Sequence, residues 1–221
     1  MNALPEPYYQ DDHATIYHGD CLDMIEALTF DVVVTDPPYG ISHSSNKLGA
    51  PLRGKQIVGD SSTAARDAAL DAAAADGFPA VCFGRWDLPP DRDLRGVLVW
   101  DKGGHVGMGD LAFPWKQNWE AVYIWGPGFK GRRGSGVLSI NALPPWGGVI
   151  THPHEKPVDL MRTLIGKCPP GTILDPFMGS GTTLRAAKDL GRKSIGIELD
   201  ERYCEIAATR LGQEVFDFGD V

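Results

Sequence analysis

Thr172-Ile173-Leu174-Asp175-Pro176-Phe177-Met178-Gly179-Ser180-Gly181-Thr182-Thr183 is the stretch on which the fold turns. An apolar, β-branched run reads as a strand. A tight Gly-x-Gly turn follows, and Thr182–Leu190, closed by Gly191, reads as a helix. Glycines let the backbone approach a ligand closely. A dinucleotide fingerprint would place a third glycine three residues on, but Leu184 stands there. A phosphate-cradling loop would want Gly-Lys-Ser/Thr, and no lysine is present. The next strand ends in Ile195-Gly196-Ile197-Glu198, and an acid in that position is where α/β sheets hold the hydroxyls of a ribose. A nucleoside-bearing ligand without a pyrophosphate fits these facts.

Outward from this unit, two kinds of segment alternate. Thr15–His18, Phe30–Thr35, Pro79–Phe83, Gly96–Trp100, Glu120–Trp125, Thr172–Asp175 and Ser194–Glu198 read as strands. Asp20–Leu28, Ser62–Asp76, Glu155–Lys167, Thr182–Leu190 and Asp200–Leu211 read as helices. Pro157 is expected in a first turn, where its missing N–H costs nothing. The alternation predicts one α/β domain, residues 1–221, with a mostly parallel sheet and helices on both faces. Two segments break the rhythm: Ile41–Gly59 and the Gly- and Pro-rich Gly126–Ile150. Loops of that length are usually functional or disordered.

The strand Phe30–Thr35 runs straight into Asp36-Pro37-Pro38-Tyr39. Two prolines fix φ and remove two N–H donors, leaving carbonyl acceptors in a stiff turn. A carboxylate and a flat ring stand beside them. Acceptors plus a stacking face suit a planar group bearing an NH2. A merely structural proline turn would need neither Asp nor Tyr.

Composition bounds the rest. The chain has 221 residues, 21 basic and 29 acidic, for a net charge of −8. With 43% hydrophobic and 23% charged residues, it has the values of a soluble globular protein. No apolar run approaches a membrane span. Met1–Glu6 lacks the basic and apolar regions of a signal peptide. Cys21, Cys82, Cys168 and Cys204 lie far apart, without a zinc spacing, so reduced buried thiols in a cytoplasmic protein are expected. His152-x-His154 has no third ligand at a useful spacing, and no metal is expected. The first 40 residues hold eight acids and no Lys or Arg. Two stretches are purely basic, with Lys47, Arg53 and Lys55 in the first and Lys130, Arg132 and Arg133 in the second. They read either as solvated loops or as arms that hold a polyanion.

Taken together, the motifs resemble those of the amino-group (adenine-N6 or cytosine-N4) DNA methyltransferases. They are Asp36-Pro37-Pro38-Tyr39, then His152-Pro-His-Glu-Lys156-Pro157, then Asp175-Pro-Phe177-Met-Gly179-Ser-Gly181-Thr-Thr183, and Gly196-Ile-Glu198. His18-Gly19-Asp20-Cys21, Leu98-Val-Trp100-Asp-Lys102 and Trp119-Glu120 resemble further motifs of that family. The tetrad precedes the glycine loop, as in its permuted β class. The resemblance spans about Tyr17 to Leu211.

The resemblance implies a Rossmann-like S-adenosylmethionine-dependent methyltransferase fold in circularly permuted motif order. Its α/β sheet is seven-stranded and mostly parallel, with one antiparallel strand. It implies S-adenosyl-L-methionine as cofactor, held by Asp175, Phe177, Gly179, Ser180, Gly181 and Thr182, by Glu198 at the ribose and by Asp20 and Cys21 at the adenine. Lys156 and Pro157 would close the methionine end, with Asp36 beside it. Asp36, Pro37, Pro38 and Tyr39 would act on an amine flipped out of double-stranded DNA. Asp in the first tetrad position resembles the adenine-N6 enzymes; cytosine-N4 enzymes more often carry Ser. Lys47, Arg53, Lys55, Lys130, Arg132 and Arg133 would contact DNA, with 126–150 as a short target-recognition insert. An RNA or protein-amide methyltransferase, an inactive cofactor-binding module and a nicotinamide oxidoreductase are the competing readings.

Overall fold

A computed structural model describes residues 4–39, 63–74, 77–103, 112–142 and 155–213. In chain order the strands are β1 (Tyr9–Gln10), β2 (Ala14–His18), β3 (Val32–Thr35), β4 (Ala80–Gly84), β5 (Leu94–Asp101), β6 (Trp119–Trp125), β7 (Val137–Ser139), β8 (Ile173–Asp175) and β9 (Ser194–Glu198). The helices are α1 (Ala64–Ala74), α2 (Val158–Ile165), α3 (Thr182–Asp189) and α4 (Glu201–Gly212). They build one sheet of order β1-β2-β9-β8-β3-β4-β6-β5-β7. Its seven inner strands are parallel except β6, which runs antiparallel to both β4 and β5. This is the Rossmann-like methyltransferase arrangement that the motifs imply. Two short edge strands extend it: β1 is antiparallel to β2, and β7 is parallel to β5.

β3 explains itself from sequence. Val32, Val33, Val34 and Thr35 are all buried, as a parallel strand covered on both faces requires. Alternate side chains feed two cores. Val33 and Leu174 join Ala69, Leu70 and Ala73 of α1 on one face. Val32, Val34 and Ile173 join Leu160, Met161, Leu164 and Ile165 of α2 on the other. A third cluster packs Leu184 of α3 against Ile16, Cys204, Ala207 and Leu211. All four cysteines are buried and free. Among the described residues, no helix is long and apolar enough to cross a membrane.

Three local expectations are corrected. Asp20–Leu28 forms two 3-10 turns, Cys21–Asp23 and Ile25–Ala27, rather than an α-helix. So short a segment nucleates poorly, and Met24, at φ −121°, breaks it. Pro157 is the N-cap of α2, whose first residue is Val158. Gly126–Ile150 holds β7, too short to be read among glycines.

β3 and β8 lie side by side although Thr35 and Asp175 are 140 residues apart. From β8 the chain proceeds to β9 on one side; from β3 it proceeds to β4 on the other. The strand order therefore switches between them, and ligands of open α/β sheets bind at the carboxyl ends of such a pair.

Candidate active site

Asp36 and Tyr39 follow the end of β3 and form the centre of a charge network. The Tyr39 hydroxyl donates to Asp36 Oδ1 at 2.6 Å, and Lys156 Nζ donates to Asp36 Oδ2 at 2.5 Å. Glu120, at the upper end of β6, takes Lys156 Nζ at 3.1 Å and the Tyr39 hydroxyl at 3.3 Å. Lys102, just beyond β5, donates to its other oxygen. Two cations thus share two carboxylates. Lys156 is buried, with its ammonium 5.0 Å from the Phe83 ring centre, 5.7 Å from Tyr39 and 5.8 Å from Trp100. Aromatic faces stabilise a desolvated cation.

The network sets protonation. Burial works against the Lys156 ammonium, but Asp36 and Glu120 outweigh it and raise its pKa. Burial pushes the Glu120 carboxyl up, and the two lysines overcome this and hold it down at about 2. Burial, then Asp36 and Glu120, push the Tyr39 hydroxyl well above its ordinary value. Tyr39 therefore stays a neutral donor, Lys156 a cation and Glu120 an anion.

The glycine loop lies beside this network. Gly179 and Gly181 adopt left-handed φ values of 51° and 79°. At Gly181, an added Cβ would meet Ala207 at 2.7 Å, so this glycine lets α4 close on the loop. Gly196 has a related role: its Cβ would meet Leu184 at 2.9 Å and Met178 at 2.5 Å. The glycine missing from position 184 is offset by one on the neighbouring strand. Glu198 accepts from Gly179 N at 3.0 Å and Asp200 N at 2.9 Å, which holds it at the loop. Burial raises its pKa. Asp20 caps the first 3-10 turn through Oδ1 to Leu22 N, and Cys21 behind it is buried, its thiol pushed up to about 12.

Asp175 is buried at 2% exposure. Its Oδ1 accepts from the Thr35 hydroxyl at 2.8 Å and Phe177 N at 3.2 Å, tying the glycine loop to β3. Burial raises its carboxyl to about 6, against the hydrogen bonds from Thr183 and Thr35. Ser180 and Thr182 are buried; both meet the Arg210 guanidinium, at 3.4 and 2.9 Å, and Arg210 also holds Glu155 at 2.5 Å. Lys156 is therefore anchored through its neighbour to α4. Pro157 is buried at the head of α2.

The structure brings most of the expected residues together but separates one group. Asp36, Pro37, Pro38, Tyr39, Lys156, Asp175, the glycine loop, Glu198 and Asp20 share the carboxyl end of the sheet. Lys130, Arg132 and Arg133 do not. β6 is antiparallel, so the loop after Trp125 emerges at the amino end of the parallel strands. The five residues of β4 lie between the two ends, about 16 Å. Lys47, Arg53, Lys55, His152 and His154 lie outside the described residues. No cluster able to hold a metal occurs among those described. Glu120 and Lys102 carry no role in the sequence reading beyond their motif resemblance, and Arg210 has none. The sheet order is what brings Glu120 and Lys102 to the Asp36 network.

A half-buried carboxylate–tyrosine turn beside a nucleoside-type glycine loop at a switch point defines a Rossmann-like methyltransferase. The chain matches the DNA methylase family over residues 114–209. The putative methylase YubD of Escherichia coli K12 is 30% identical over 216 residues, 87% of this chain and 88% of that protein. The type II methyltransferase M.ScaI of Streptomyces caespitosus is 27% identical over 265 residues, 96% of this chain and 86% of that protein. Among solved structures, the M1.HpyAVI–SAM complex aligns with a TM-score of 0.63 at 22% identity, covering 90% of this chain and 100% of that one. The cytosine-N4-specific PvuII DNA methyltransferase aligns at 0.72 with 17% identity, covering 94% and 89%. This chain belongs to the amino-group DNA methyltransferases, whose methyl donor is S-adenosylmethionine.

Proposed function

We propose that this chain is a site-specific adenine-N6 methyltransferase of double-stranded DNA. The observation that carries this reading is the Asp36 carboxylate, fixed at the carboxyl end of β3 by Tyr39 and Lys156 and followed by two prolines. Asp rather than Ser at this position supports adenine.

The donor set fits S-adenosylmethionine. Glu198 presents a carboxylate at the end of β9, where ribose hydroxyls are held, and Gly179 brings its backbone beside it in the left-handed region. Asp20 spends only Oδ1 on its cap, which leaves Oδ2 for an adenine amine. Phe177, Gly181, Ser180 and Thr182 would complete the methionine side with Asp175 behind them, and Cys21 the adenine side. When bound, the donor supplies a methyl carbon on a sulfonium leaving group.

The residues act on the amine. A base in a duplex stack presents its amine to no active site, so it is flipped out. Tyr39 would stack on it. Asp36 and the Pro37 carbonyl would accept its two N–H bonds. Each Asp36 oxygen already takes one donor and has one lone-pair direction left. Two acceptors in a stiff frame favour a more pyramidal nitrogen and aim its lone pair, so the contribution is positional. After transfer the nitrogen holds one hydrogen too many. Asp36, as the carboxylate that would face the amine, is the acceptor at hand. Lys156 and Pro157 would close this end, with Lys156 acting through Asp36.

Incubation with unmethylated DNA and S-adenosylmethionine, followed by nucleoside mass spectrometry, tests the reading. N6-methyladenine is expected. N4-methylcytosine would keep the mechanism and overturn the base. No methylated base would overturn the assignment.

A further inference from the structure

Basic side chains in this protein divide by position. Among the described residues, ten of them have a carboxylate within ion-pair distance. Lys130, Arg132, Arg133 and Lys193 have none among the described residues, and all four are exposed. They gather at the amino end of the parallel strands, where Lys130, Arg192 and Lys193, with Ile165 and Cys168, line an open surface hollow of about 760 Å³.

The loop carrying three of these cations is built, not draped. Lys130 N donates to Lys167 O at 2.9 Å, and Lys167 Nζ donates to Arg132 O at 2.5 Å. Gly128, at φ +90°, packs against Pro169, where an added Cβ would lie 3.0 Å away. Lys167 and Arg192 add charge without losing it. Lys167 meets a carbonyl, and Arg192 meets the carbonyls of Pro169 and Gly171 at 2.6 and 2.8 Å. Arg192 also meets Ile165 O at the carboxyl end of α2, and helix carboxyl ends attract cations. That does not account for Lys130, Arg132, Arg133 and Lys193. Asp31 stands beside this rim, accepting from Thr172 N. A concave surface lined by one sign of charge focuses its field and concentrates counter-ions.

We infer that this face is a second DNA-holding surface, separate from the crevice, which grips the phosphates of another duplex segment. Sheet and flanking loops stand between it and Asp36, so it does not touch the flipped base. This reassigns Lys130, Arg132 and Arg133 from target recognition to phosphate contact. It rests on the DNA methyltransferase reading for the choice of polyanion.

A bridging assay tests it. The full chain is bound to an immobilised duplex, and a fluorescent second duplex is added at low salt. The wild type should retain the second duplex. The Lys130→Glu, Arg132→Glu, Arg133→Glu triple variant should retain about tenfold less, and its salt slope should flatten by roughly 0.9 for each phosphate no longer neutralised. Lys193→Glu, outside that loop, should lower retention independently. Methylation of the first duplex by the wild type, read by nucleoside mass spectrometry, tests the catalytic reading separately. A wild type that captures no second duplex, or variants that capture as well as it does, would overturn the inference.

Discussion

At the carboxyl ends of the strands, Lys102 and Lys156 share Glu120 and Asp36 between them; at the amino ends, Lys130, Arg132, Arg133 and Lys193 face no described carboxylate. Lysines stand at both ends. In the first place burial forces pairing, because an unpaired charge out of water costs several kcal/mol, and pairing fixes each atom. In the second, exposure removes that cost, and the charges keep their field but no fixed geometry. One end is suited to orienting a single amine and the other to holding a repeating polyanion.

Variants break or sharpen this contrast. The largest effect is expected at Asp36: Asp36→Ala should lower methyl transfer by about a thousandfold, the scale of losing one oriented polar group in a site. Turnover near wild type in a radiolabelled-methyl assay would end the catalytic assignment. Lys156→Met strips the shared cation from two carboxylates. Urea unfolding should show a loss of about 3–5 kcal/mol; a loss below about 1 kcal/mol would mean that the network does not hold the site.

Asp175 provides a pH test. Its folded pKa is raised, from 3.8 to about 6, so the folded state binds the proton more tightly than the unfolded chain. Stability from this group is present below pH about 4 and is lost as pH rises to about 6, a change of roughly 2–3 kcal/mol. Asp175→Asn stays neutral. Its stability relative to wild type should improve between pH 4 and 7, and a constant difference in thermal melts would refute the shift. The smallest effect is expected at the other end. Lys130→Ala, Arg132→Ala and Arg133→Ala together should change unfolding stability by no more than about 0.5 kcal/mol, as exposed unpaired residues do. A larger loss would make that loop a structural element.

What the sequence made legible was local. Asp36–Tyr39 and Asp175–Thr183 are contiguous, and the loop chemistry of each is written in its own neighbours. The order of helices and strands was legible for the same reason. Glu120, Lys102 and Arg210 were not assigned roles because no local pattern separates a half-buried charge in a site from one on a surface; β6 must first be seated beside β4. The place of Lys130, Arg132 and Arg133 depended on the direction of β6, which strand patterning leaves open. Edge strands β1 and β7, of two and three residues, fall below what alternation resolves.

The hydrogen bond from Thr35 to Asp175 closes a loop of 140 residues. Contacts so distant in sequence form late and slow folding, since the chain must give up its freedom before they reward it. The carboxylate that would orient the amine and the loop that would hold the donor are therefore not assembled in any short, early-folding fragment. Competence should arrive with global folding, and a donor that binds only the closed pair should protect the whole chain against unfolding.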